Sequence, residues 1–185
     1  MKILDSISYW FFLREKSRKN EVSQNRTFMN YTEIKSVLLL VKIHYDSDIF
    51  AFENILQTLK KDGKKVILCC FVEQKKSLLQ TGINRFIIKK ENLLFWQKPD
   101  NEMLKEISAQ EFDAVFDLTQ IKSIPLLYVL LNANAKFRCG NNKQDGLHDF
   151  IIDVSNLKKA DEHYLFEQIT RYLKSINVNR TQHLR

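Results

Sequence analysis

Apolar positions in this chain fall into short unbroken runs separated by stretches in which they recur every three or four residues. Runs at 36–41 (SVLLLV), 65–72 (KVILCCFV), 86–88, 114–118 and 150–154 (FIIDV) have strand length and no polar alternation, and 136–139 (KFRC) is strand-like. That is the pattern of strands buried on both faces. Between them lie helical stretches. Asp48 is placed to cap a helix over 49–61 that the Asp62-Gly63 pair stops, Asp100 to cap one reaching 108, and Ser123 to begin one through 131. A last helix over 161–176 puts Tyr164, Leu165, Ile169, Tyr172 and Leu173 on one face. Strands alternating with helices predict an α/β fold: a single three-layer, Rossmann-like domain with a mostly parallel sheet.

Before that domain the pattern changes. Ile3, Ile7, Trp10, Phe11 and Leu13 recur at roughly helical spacing and are followed by the basic run REKSRKN at 14–20. This predicts a short amphipathic N-terminal helix leading out of, or onto, the body. Residues 20–35 have no period and are rich in Asn, Ser, Thr and Gln, as expected of an extended linker. The expected division is 1–34 for the helix and basic linker, 35–176 for the Rossmann-like domain and 177–185 for a basic tail. The domain is expected to build its core without the two ends.

The chain's 185 residues allow one well-filled core. No apolar run approaches the roughly 20 residues of a membrane-spanning helix. Asp5 interrupts the one segment that resembles a leader, so a retained, cytoplasmic chain is expected. Cys69, Cys70 and Cys139 lack metal-ligand spacing and fit buried, reduced thiols. Neither a metal nor a cofactor is expected.

The net charge of +7 changes the picture once it is located. Residues 1–35 carry seven basic and four acidic side chains, residues 171–185 four basic and none acidic, and residues 36–170 are balanced at 18 each. Two basic ends on a neutral body point to a polyanion held by the ends.

The stretch FDAVFDL at 112–118, followed by Lys122-Ser123 and by FRCG at 137–140, resembles the N-terminal, acceptor-side Rossmann domain of heptosyltransferase-like (GT-B) glycosyltransferases. The resemblance covers 35–154. It implies a catalytic acid in the loop after the first strand, where KIHYDSDIFAFENI at 42–55 offers Asp48. The family's Gly-Asp pair is Ser47-Asp48 here and no proline follows, so a capping role is expected for Asp48. His44 and Asp46 are a possible acid/base pair, and His148 and Asp149 are expected in a solvent-facing turn. The family's nucleotide-sugar site lies in a second Rossmann domain for which this sequence has no counterpart, so reuse of the scaffold without catalysis is expected.

The leading expectation is therefore a non-catalytic RNA-binding component of a ribonucleoprotein, in particular a lineage-specific bacterial ribosomal protein of the large subunit. Arg14, Lys16, Arg18, Lys19, Arg26, Arg171, Lys174, Arg180 and Arg185 would hold rRNA phosphates, beside neighbouring ribosomal proteins. Phe28, Tyr31 and His183 are candidates for stacking on bases. The alternative is a glycosyltransferase-like small-molecule binder, or an enzyme half completed by a partner chain, with a crevice near Asp46, Asp48, Thr119 and Gln120. A membrane-surface role through Trp10, Phe11 and Phe12 ranks lower, because Asp5 and Glu15 lie in the same helix. Neither a membrane nor a small-molecule substrate is the expected partner.

Overall fold

The computed structural model describes residues 3–19, 27–141, 146–154, 157 and 160–176. Among the described residues are six strands and five α-helices, and the strands form one sheet: β1 (Ser36–Ile43), β2 (Lys65–Val72), β3 (Arg85–Lys89), β4 (Glu111–Asp117), β5 (Asn134–Asn141) and β6 (Phe150–Ile152). Their order is β3-β2-β1-β4-β5-β6, and every neighbouring pair is parallel. β1 takes a central place. Its Val37, Leu39 and Val41 join one core cluster, and its Leu38 and Leu40 join the other.

Five α-helices cover the sheet: α1 (Ile3–Lys19), α2 (Glu53–Lys61), α3 (Asn101–Ser108), α4 (Ile124–Asn132) and α5 (Glu162–Ser175). α2 and α5 supply side chains to one cluster, and α1, α3 and α4 to the other, which gives the three layers. Asp100 caps α3 by accepting from Glu102 N–H, and Asp161 caps α5 by accepting from Tyr164 N–H at 2.7 Å. On α5 the buried face includes Phe166 and Thr170, while Tyr172 turns half outward.

Two features differ from the sequence reading. The core reaches back past Lys35, because Met29, Tyr31 and Ile34 are buried among the residues of the first cluster. Lys64 fastens this segment. Its Nζ donates to the Tyr31 and Ile34 carbonyls at 2.7 Å, and burial pulls its pKa below the ordinary lysine value. The Tyr31 hydroxyl donates to Asp62 at 2.6 Å, so this ring is used structurally. Phe28 likewise packs against Phe137, with ring centroids 5.0 Å apart.

The second difference is the rotation of α1. The helix lies on the body, whose core was expected to do without it; its stripe residues Ile7, Trp10 and Leu13 are exposed, and the docked face is the polar one at positions 5, 8, 12, 15 and 19. Asp5 accepts from Gln97, Glu15 pairs with Lys98 at 3.0 Å, Lys19 donates to Asn132, and Ser8 is buried. Phe12, fully buried, is the one large apolar anchor of that face and meets Tyr128 of α4 edge-on, 5.3 Å between centroids. The polar partners set the rotation, since each is a charged or amide group that the opposite rotation would leave without its bond.

Candidate functional site

The strand order reverses its direction of growth at β1, which lies between β2 and β4. In open α/β sheets the carboxyl ends of strands at such a point form the ligand crevice. Here a crevice of about 340 Å³ lies there, lined by Lys42 and Phe71 from the strand ends, Glu73, and Ile121 to Pro125 at the start of α4. Asp5 and Tyr9 of α1 and Gln97 complete the wall. None of the residues expected around it, Asp46, Asp48, Thr119 and Gln120, is among its lining residues. Thr119 is buried, its hydroxyl donating to Asp117 at 2.6 Å.

The loop after β1 begins with a 3-10 turn, Asp46–Phe52, not with the α-helix expected from Asp48. Asp48 is its third residue. Its carboxylate reaches back to the N–H groups of His44 at 3.2 Å and Tyr45 at 2.9 Å, so it holds the turn's start without being the cap residue itself. Asp46 accepts from Leu78 N–H at 2.7 Å. His44 does not meet Asp46. Its Nδ1 lies 2.5 Å from Glu73, which also pairs with Lys42 at 2.9 Å. Burial raises the Glu73 pKa, but the Lys42 hydrogen bond and charge and the nearby His44 outweigh it, leaving the group below its ordinary value. Glu73 is thus the acid that organises the mouth of the crevice. It had no signal beyond its place at the end of a strand run.

A second polar cluster lies at the ends of β4 and β5. His148 is buried, not solvent-facing, and its Nε2 sits 3.1 Å from Asp117 Oδ2. Asp149 is on the same segment and accepts from Arg138 N–H at 2.8 Å, which ties the loop to β5. Arg138 of FRCG is buried and donates to the Ala133 carbonyl at 2.9 Å. Burial raises the thiol pKa of all three cysteines, Cys70 to about 12, so they stay protonated at neutral pH.

The basic candidates separate. Arg14, Lys16, Arg18 and Lys19 lie on α1, in the layer with α3 and α4; Arg171 and Lys174 lie on α5, in the opposite layer. Arg14 sits over the Trp10 ring at 5.8 Å, and Lys174 is 3.5 Å from Asp62 and over the Tyr31 ring. Burial lowers the Lys19 pKa. Arg26, Arg180, Arg185 and His183 are outside the described residues.

A parallel sheet in this order, covered on both faces and with its crevice at the switch point, defines a Rossmann-like α/β domain. It is similar in fold to a crystal structure of a glycosyl transferase family 9 protein from Veillonella parvula DSM 2008, with a TM-score of 0.53 and 15% identity. The match covers 83% of this chain and 44% of that one, so the chain spans less than half of the enzyme's length. No curated protein matches the chain. Residues 8–176 match DUF6913, a family of unknown function, and the chain belongs to that family. Among the described residues no helix is long and apolar enough to cross a membrane.

Proposed function

We propose that this protein is a non-catalytic RNA-binding component of a ribonucleoprotein, and in its finer form a lineage-specific bacterial ribosomal protein of the large subunit. The observation that carries the reading is how charge is distributed between paired and unpaired groups. The two acids that line the crevice are engaged, Glu73 by Lys42 and His44 and Asp5 by Gln97, and so are the acids of the loop after β1, Asp48 by two backbone N–H groups and Asp46 by Leu78. Arg14, Arg18 and Arg171 are exposed, and none has a carboxylate within salt-bridge distance among the described residues. Unpaired arginines on a neutral body favour phosphate as partner, and engaged carboxylates are poor general bases.

The test uses the full chain and a variant with Arg14, Arg18, Arg171, Arg180 and Arg185 changed to Gln. Binding to an rRNA fragment is measured across salt concentrations. The full chain should show a log-log slope of roughly −0.7 to −0.9 per phosphate contact, and the variant should bind weakly with a flatter slope. Equal affinity and slope for the two would remove the reading. Sedimentation with ribosomal subunits after a high-salt wash tests the finer form.

A second reading rests on the crevice itself. Its volume of about 340 Å³ suits a small ligand, as in a glycosyltransferase half completed by a partner chain. Turnover of a nucleotide-sugar by the purified protein, lost in Asp48→Asn, would favour it over the first.

A further inference from the structure

The rotation of α1 leaves an unusual surface. Its exposed residues are Leu4, Ser6, Ile7, Trp10, Leu13, Arg14, Ser17, Arg18 and Lys19, and none is acidic. Both acids of the helix, Asp5 and Glu15, are turned inward and held by Gln97 and Lys98. Beside the helix, Leu94, Phe95 and Trp96 are also exposed, Phe95 by 86%, and the Trp96 ring stacks on Phe11 at 4.3 Å. Trp96 and Gln97 both have left-handed backbone, φ 62° and 60°, which costs free energy in non-glycine residues. That conformation puts the Trp96 ring on Phe11 while the Gln97 side chain reaches Asp5. The result is one contiguous apolar and aromatic patch that passes, along the helix, into arginine.

We infer that this patch, Leu4, Ile7, Trp10, Leu94, Phe95 and Trp96 with Arg14 and Arg18 at its end, docks the protein onto an anionic lipid surface. Aliphatic and aromatic side chains enter the boundary between headgroups and acyl chains, where indole rings are favoured, and the arginines meet lipid phosphates. Asp5 and Glu15 would oppose such docking on a freely rotating helix, but here both are bonded into the body. Charge complementarity selects the occupant. A second copy would bring arginine against arginine, and RNA would leave Leu4, Ile7 and Leu94 against phosphate and sugar. This proposal shares Arg14 and Arg18 with the RNA reading, which draws in addition on Arg171 of α5 in the opposite layer, and it rests on the apolar patch that the RNA reading does not use.

Trp10 and Trp96 are the chain's two tryptophans, so intrinsic fluorescence reports on this patch alone. The full chain is titrated with vesicles of phosphatidylcholine, with vesicles containing one-third phosphatidylglycerol, and with a single-stranded RNA oligomer. The anionic vesicles should shift tryptophan emission to the blue and sediment the protein. Leu4→Ser/Ile7→Ser should weaken that binding at least tenfold, and Arg14→Gln/Arg18→Gln should remove the preference for the anionic lipid. Circular dichroism checks that these exposed-site variants keep their fold, and their RNA affinity is measured in parallel. No blue shift with anionic vesicles, a shift with RNA alone, or a shift that depends only on protein concentration would overturn the proposal. The last two would assign the patch to nucleic acid or to self-association.

Discussion

Gly140 and His148 fit together because position 140 has no side chain: a Cβ there would fall 2.8 Å from His148 Nε2 and 2.8 Å from the Asp117 carbonyl oxygen. The backbone of β4 cannot move aside without disturbing its ladders to β1 and β5. Gly140→Ala should destabilise the fold by about 1–3 kcal/mol through overpacking. Urea unfolding followed by circular dichroism measures this, and a midpoint equal to the wild type would show that the loop carrying His148 yields freely.

The rotation of α1 predicts a contrast within one helix. Phe12→Ala should cost about 3–5 kcal/mol, because a fully buried ring against Tyr128 is lost. Trp10, 56% exposed, should change stability by no more than about 0.5 kcal/mol when made Ala. The reverse order would place the apolar stripe, and not the polar face, against the body. The same packing predicts that a chain lacking residues 1–34 is strongly destabilised, since Phe12, Met29, Tyr31 and Ile34 all leave the core.

Asp48→Ala should lower stability by about 1 kcal/mol, the worth of the bonds it accepts from His44 and Tyr45 at the start of the 3-10 turn. No glycosyl-transfer activity should accompany the wild-type residue. Unfolding midpoints of the two proteins, with a nucleotide-sugar hydrolysis assay beside them, check both halves.

Asp113 predicts a pH dependence. Burial raises its pKa, but hydrogen bonds from Lys136 Nζ at 2.8 Å and from the N–H groups of Lys35 and Ser36 outweigh burial and bring it below the ordinary value. A carboxylate depressed in the folded state stabilises the fold above its unfolded pKa of about 4, and that stabilisation is lost as pH falls through the folded value. Asp113→Asn should therefore be less stable than the wild type at pH 7, and the gap should close as pH falls toward 2. A constant gap across that range would place the effect in packing and not in charge.

The fold was legible where local pattern and tertiary role coincide. β1 and β2 are buried on both faces, so their unbroken apolar runs could be read without knowing their neighbours. Asp161 was read as the first residue of the last helix and is its cap, whereas Asp100 acts within two residues of itself, and its cap was visible. The rotation of α1 was not, because Gln97, Lys98 and Asn132 lie 92, 83 and 113 residues from their partners on the helix. The hydrophobic stripe alone did not show which face would dock. His148 was misread in the same manner: its polar surroundings in sequence are those of a turn, whereas its partner Asp117 stands 31 residues earlier. A signal did exist in Gly140, one of four glycines, at the end of a strand where no turn requires it.

The distance between α1 and its seat also orders events during synthesis. Lys19 leaves the ribosome 113 residues ahead of Asn132, which at about 5–20 residues per second is a wait of roughly 6–23 s. Until residues 97, 98 and 128 have been made, β1 and β2 can pair while α1 has neither Tyr128 to receive Phe12 nor Gln97 and Lys98 to hold its acids. The helix is thus made well before its seat, and in the meantime both of its faces are open to whatever surface stands near the exit tunnel.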